Sequence, residues 1–250
     1  IAKKYKITEN NIIFGNGSDE LFFLICYSYL NEKLEGLYSQ YGFLIYPIAI
    51  QATGARAVFA KEKNFKVDVG KMIKKATNKT RVCFVANPNN PTGTYLNVKE
   101  IKSLRDGLPK SCLLVIDSAY SEYVEKKDYS DCISYAKTRN DIIVTHTFSK
   151  IFGIPSLRIG WAYCPKEVVE VLNRIRPAFN LNGYAQKVAK IVLEDTNYLS
   201  TSIKHNLYWK KWLNNQFSKL GFAVKIGVAN FIFINLKKPQ MRKKYVSYLE

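Results

Sequence analysis

The sequence predicts an α/β domain in three layers, with helices on both faces of a mostly parallel sheet, followed by the start of a smaller α+β domain. Three observations carry this expectation. Short β-rich runs alternate with longer helix-like segments along most of the chain. Several of those runs are apolar almost throughout, as in Leu113-Leu114-Val115-Ile116, which is how a strand reads when both sheet faces are covered. After about Asn197 the alternation stops and a long amphipathic segment takes over.

In chain order, the β-rich runs cover residues 36–39, 57–60, 81–86, 112–117, 141–147 and 158–163. Helical spacing lies around them at residues 19–30, 47–51, 69–77, 98–106, 166–174 and 185–193. The long helix is expected over 198–220, stopped by Gly221, a good C-terminal punctuator. Two short strands are expected at 222–226 and 230–236, and 241–250 reads as a helix. This places a larger domain at 1–196 and the start of a smaller one at 197–250. The first residue, Ile1, and the stop within the final helical pattern lead us to expect further chain at both ends of the native protein.

Composition narrows the function classes. Of 250 residues, 47% are apolar and 23% charged, enough apolar content to offset chain entropy and exclude a disordered chain. The longest strongly apolar stretch, residues 21–30, is half the ~20 residues that a spanning helix needs, so no membrane association is expected. No secretory leader is read at Ile1. The five cysteines are far apart and form no Cys-x-x-Cys pair, as expected of buried free thiols in a reducing cytoplasm. Two histidines are a poor basis for a histidine-based metal site, and none is expected. The net charge of +18 comes mostly from scattered lysines; only 8 of the 38 basic residues are Arg. Nucleic-acid readers favour the Arg fork, so this charge is read as solvated helix faces that attract anionic substrates, with no nucleic-acid partner.

In open α/β sheets, ligands bind beyond the carboxyl ends of the strands. Five polar clusters stand at such places. Gly15-Asn16-Gly17-Ser18-Asp19-Glu20 precedes a helix whose N-terminal amides could hold an anion, although Ser18 or Asp19 could equally cap it. Asn87-Pro88-Asn89-Asn90-Pro91-Thr92-Gly93 follows a strand, and Asn90 would present an amide donor. Asp117-Ser118-Ala119-Tyr120 ends the most apolar strand, where a carboxylate is costly unless it meets a cation or donors; capping a helix is the plainer alternative. Thr147-Phe148-Ser149-Lys150 sets two hydroxyls beside an amine that could act as nucleophile or base. Arg158 opens an apolar strand eight residues later, suited to an anion clamp or to a structural carboxylate pair.

Together and in this order the clusters resemble the fold-type I pyridoxal-phosphate enzymes, more narrowly the class I/II aminotransferases, and among them the histidinol-phosphate branch. The resemblance covers nearly the whole chain. It rests on NPNNPTG at 87–93, DSAYSEY at 117–123, TFSKIFGIPSLRIGW at 147–161 and GNGSDE at 15–20. It implies pyridoxal 5'-phosphate as cofactor, carried as a Schiff base on Lys150, with Asp117 on the ring nitrogen. It implies Asn90 and Tyr120 at the phenolic oxygen, and Tyr41 stacked on the ring. Gly17, Ser18, Asp19, Thr147, Ser149 and Arg158 would surround the phosphate, by backbone amides at Ser18 and Asp19 and by side chains at the last three. The implied catalytic residues are Lys150, Asp117 and Tyr120. The implied reaction moves an amino group between glutamate (as 2-oxoglutarate) and a phosphorylated amino or keto compound, imidazole-acetol phosphate in histidine biosynthesis, in a homodimer.

The sequence departs from the family in one place. Ser39-Gln40-Tyr41 stands where Pro-x-Tyr is usual, and the prolyl turn is lost. The partner-subunit tyrosine and the C-terminal substrate-binding arginine of the family have no counterpart within these residues. A phospho-amino-acid decarboxylase or an aromatic-amino-acid aminotransferase would use the same Lys150, Asp117 and Asn90. A basic nucleic-acid-binding protein and a catalytically dead relative are the remaining alternatives. His146 is expected to pack rather than to react.

Overall fold

A computed structural model of the chain describes residues 1–236 and 239–249. Its strands are β1 (Ile12–Gly15), β2 (Glu35–Ser39), β3 (Arg56–Ala60), β4 (Thr80–Ala86), β5 (Leu113–Asp117), β6 (Ile142–Thr147), β7 (Gly160–Tyr163), β8 (Val224–Ile226) and β9 (Ile232–Ile234). Its helices are α1 (Ala2–Tyr5), α2 (Gly17–Tyr29), α3 (Ile45–Gln51), α4 (Val69–Lys75), α5 (Val98–Gly107), α6 (Ile133–Ala136), α7 (Lys166–Ile175), α8 (Gly183–Glu194), α9 (Thr196–Lys219) and α10 (Pro239–Leu249). The helix expected over 241–250 corresponds to α10, and Glu250 lies outside the described residues.

The first seven strands form one sheet in the order β1-β7-β6-β5-β4-β2-β3. From β6 to β3 every pairing is parallel, while β7 runs antiparallel to both β6 and β1. Alternate residues of each strand enter different cores, because successive side chains point to opposite faces. On one face Val82, Phe84 and Val115 pack with α2, α3 and α7 through Leu21, Phe22, Ile50 and Leu172. On the other, Cys83, Val85, Leu114 and Ile116 pack with α4, α5 and α8 through Met72, Ile101, Leu104 and Ala189. The sheet is thus covered on both sides, as the continuous apolar runs required. All five cysteines are free and buried.

β1 was not expected. It is an edge strand of four residues, and its partner β7 lies far along the chain, so no local pattern announces it. β8 and β9 form a separate antiparallel pair beside α9. No helix among the described residues is long and apolar enough to cross a membrane.

Helix signals in the sequence are used as local chemistry dictates. Asn97 caps α5 by accepting from Glu100 N, and Glu100 returns the bond to Asn97 N. Asp68 caps α4 through Lys71 N. By contrast α2 starts at Gly17 with no side-chain cap on its first amides. At this point β7 presses close: a Cβ on Gly160 would lie 2.7 Å from Gly17 C and 3.0 Å from His146 O, and would also meet Ser18 N. All three atoms are backbone and cannot swing aside. Gly160→Ala is therefore expected to cost about 1–3 kcal/mol of folding stability by urea denaturation. An unchanged midpoint would show that α2 is free to move away from β7.

Candidate active site at the carboxyl ends of the parallel strands

The register of the parallel strands puts Ala86 beside Asp117, and Asp117 beside Thr145. Thr147 ends β6 opposite Gly160 of β7. The carboxyl ends of β4, β5 and β6 therefore form a ledge, facing the N-terminus of α2. One cleft above it gathers nine of the residues singled out in the sequence: Ser18, Asp19, Asn90, Asp117, Tyr120, Thr147, Ser149, Lys150 and Arg158.

The floor of the cleft is a buried carboxylate. Asp117 is only 5% exposed. Its oxygens accept from Tyr46 Oη at 2.7 Å, Ala119 N at 3.2 Å and Thr145 Oγ1 at 3.3 Å. All three donors are neutral, and no ion pair among the described residues includes Asp117. Burial accordingly pushes its pKa above the ordinary carboxylate value, against the lowering effect of the Tyr46, Ala119 and Thr145 bonds. Tyr46 is itself fully buried, stacked on Phe84 at 4.9 Å and met edge-on by Phe22 and Phe43. Burial and the adjacent Asp117 charge raise its phenol pKa well above normal, so it remains a donor.

Opposite this floor stand an amine, a phenol and an amide. Lys150 Nζ lies 5.3 Å from the centre of the Tyr120 ring. Asn90 Nδ2 donates to Tyr120 Oη at 3.2 Å. Burial first, and the Asp117 charge second, push Tyr120 up to about 12, so it too stays a donor at neutral pH. The loop that presents Asn90 is pinned at its base: Asn87 Oδ1 accepts from Leu96 N at 2.8 Å and Asn87 Nδ2 donates to Leu96 O at 3.0 Å.

The far end gathers a helix N-terminus, a hydroxyl and a guanidinium. Ser18 and Asp19, in the first turn of α2, line the cleft, and that helix end carries no side-chain cap and has the helix dipole behind it. Arg158, in the left-handed conformation at φ 50, donates to Ser149 Oγ at 3.2 Å and to Asp19 Oδ2 at 3.3 Å. Thr147 Oγ1 accepts from Ser149 N at 3.1 Å and turns that hydroxyl toward the same space. Gly17 is not a wall of the cleft. Its role is clearance: it has φ +77, and a Cβ there would run into the Arg158 guanidinium.

Tyr41, expected against the cofactor ring, is not among the residues that line the cleft. Tyr41 is 39% exposed and its ring packs on Phe65 at 5.6 Å, away from the cleft. Its backbone is fixed by two bonds, Tyr41 N to Glu62 Oε1 and Asn89 Nδ2 to Tyr41 O, each at 3.3 Å. The aromatic wall of the cleft is Phe43, two residues further on. Sequence reasoning also missed Tyr46 and Thr145, the two side-chain donors to Asp117. Tyr46 falls in an aromatic-rich apolar stretch with nothing local to distinguish it, whereas Thr145 could have been found as a hydroxyl inside an otherwise apolar strand. His146 is 1% exposed and stacked on Trp161 at 4.6 Å, a packing position as expected.

A carboxylate held without a cation has a measurable signature. The native state takes up the Asp117 proton more readily than the unfolded chain does, so native stability falls as pH rises from the ordinary carboxylate value through the raised one. In the cofactor-free protein, Asp117→Asn is expected to gain about 1–3 kcal/mol above that window, and the gain is expected to vanish in acid. Denaturation of the two forms across pH checks both the sign and the window.

The chain matches the family model of aminotransferase class I and II over residues 1–249. A histidinol-phosphate aminotransferase of Pelagibacter ubique (strain HTCC1062) is 44% identical over 246 residues, 98% of this chain and 68% of that protein. One of Rhodopseudomonas palustris (strain BisB18) is 43% identical over 94% of this chain and 64% of its own length. The chain thus spans about two thirds of the length of these curated relatives. Among solved structures, histidinol-phosphate aminotransferase from Sinorhizobium meliloti in complex with pyridoxal-5'-phosphate superposes with TM-score 0.92 at 21% identity, over 97% of this chain and 66% of that one. Aspartate aminotransferase from Thermus thermophilus with maleate superposes at 0.85 with 19% identity, over 93% of this chain and 65% of that one. These structural likenesses establish the fold, which is that of the fold-type I transferases, and the sequence matches establish the kinship: the chain belongs to the aminotransferase class I and II family.

Proposed function

We propose that the full-length protein is a pyridoxal-phosphate-dependent aminotransferase of histidine biosynthesis, moving an amino group between glutamate and imidazole-acetol phosphate, as a cytoplasmic homodimer. The observation that carries this reading is Asp117, a buried carboxylate with neutral donors only, 2.7 Å from Tyr46 Oη and facing a cleft that ends in an anion cradle. A planar cation with an aldehyde and a phosphate satisfies each part of that donor set.

When bound, pyridoxal phosphate supplies an electron-poor ring that accepts electrons from the substrate α-carbon. The chain's own groups have the following parts. Asp117 would hold a proton on the ring nitrogen, its carboxylate fixed by the Tyr46 and Thr145 donors. Lys150 Nζ would tether the cofactor, and as a free amine it would move the proton at the substrate Cα. Asn90 Nδ2 and Tyr120 Oη donate to the phenolic oxygen. The Ser18 and Asp19 amides, Ser149 Oγ and the Arg158 guanidinium bind the phosphate, with Thr147 aligning Ser149. Phe43 supplies apolar surface against the ring. The family and the names of the 43–44% identical relatives support the choice of substrate.

Full-length protein is expected to carry a coloured cofactor that borohydride fixes to the peptide bearing Lys150. Lys150→Ala is expected to lower histidinol-phosphate transamination by about a thousandfold or more. A protein that stays colourless after cofactor is added contradicts the reading. Release of carbon dioxide from phosphothreonine without amino transfer would point instead to a decarboxylase.

A further inference from the structure

The last residue of the Asn87–Gly93 motif touches no part of the cleft. Gly93 has φ +69, and a Cβ there would lie 2.8 Å from the Cα of Gly227, in the turn between β8 and β9. Val228 N donates to Gly93 O at 2.8 Å, closing the contact. The close approach is mutual, since a Cβ on Gly227 would overlap the Gly93 backbone, yet Gly227 itself has no positive φ. Its lack of a side chain answers to this contact alone.

The turn is held from behind as well. Lys210, on α9, is 7% exposed, and its Nζ donates to Gly227 O at 2.9 Å. Four residues past Gly227, the Phe231 ring meets Tyr120 edge-on at 5.3 Å and 89°. The β8–β9 turn therefore bears on both members of the Asn90–Tyr120 pair: on Asn90 through its loop and on Tyr120 through its ring.

We propose that Lys210, Gly227 and Phe231 form a latch by which the second sheet positions Asn90 and Tyr120 on the cofactor's phenolic oxygen. They are positioning residues: none lines the cleft that holds Asp117 and Arg158, although Lys210 and Phe231 line an adjoining cavity with Lys150, and each acts through the loop or the phenol. The proposal rests on the aminotransferase reading. It explains why a buried lysine, costly to desolvate, is spent on one carbonyl far from the anion cradle. Donors at the phenolic oxygen stabilise its negative charge and so weaken proton retention on the neighbouring nitrogen. Loosening the latch raises the pH at which the bound cofactor's absorption band titrates.

The test uses full-length protein loaded with pyridoxal phosphate. Gly227→Ala adds bulk at the contact, and Lys210→Met removes the bond behind the turn without adding any. Both variants are expected to raise the pH midpoint of the cofactor band by about half a unit or more. Both are expected to lower kcat about tenfold, with KM for histidinol phosphate within about twofold. Should Gly227→Ala fail to fold, Lys210→Met decides alone. Variants that lose thermal stability but keep the wild-type midpoint and kcat show a merely structural contact and overturn the latch. A wild-type protein that binds no cofactor fails at an earlier step, taking the aminotransferase reading down with the latch.

Discussion

Asp117 is the constraint around which this molecule is arranged. A carboxylate at the end of a buried strand, bonded only to a phenol, an amide and a hydroxyl, holds negative charge in a place that solvates it poorly. The surrounding aromatic packing does nothing to relieve that cost. Phe22, Phe43 and Phe84 instead lock Tyr46 in place, and Tyr46 holds the carboxylate facing the cleft. Such an arrangement is unfavourable to the empty protein and becomes favourable once a cation is brought to it.

Sheet topology then determines what else can be near. Because β4, β5 and β6 run parallel, their carboxyl ends and the loops that follow them share one side of the sheet. Asn90, Tyr120 and Lys150 reach the same space although 60 residues separate the first from the last. The antiparallel β7 brings Arg158 back beside the start of α2, so a guanidinium and a helix N-terminus stand at one end of the cleft. Opposite charges thus sit in one cleft, the Asp117 carboxyl in its floor and the Arg158 guanidinium beside the start of α2.

Much of this was legible in the sequence, for identifiable reasons. The central strands announce themselves by apolar runs, and each ends in a polar cluster that a plain turn does not need. Asp117 could be singled out because a carboxylate ending a buried strand is costly unless a cation or donors meet it, and Lys150 because two hydroxyls precede it after a strand within a motif that resembles the family's. What escaped was non-local. β1 is four residues whose only justification is a partner nearly 150 residues away. Tyr46 matters through a single bond to a residue 71 positions on. The packing of the Tyr41 ring on Phe65 was also not legible, because motif position specifies a backbone location and not the ring's neighbour. The meaning of Gly93 likewise depends on Gly227, which no local pattern could reveal.

The charge on the ring nitrogen opposite Asp117 is the most direct measure of the account. Full-length enzyme can be loaded with cofactor carrying nitrogen-15 in the pyridine ring and observed by NMR at neutral and mildly alkaline pH. A protonated ring nitrogen that stays protonated well above the pH at which the free cofactor loses its proton is the predicted result. A ring nitrogen found unprotonated at neutral pH would mean that Asp117 holds no cation there, and the reason given for its burial would be wrong.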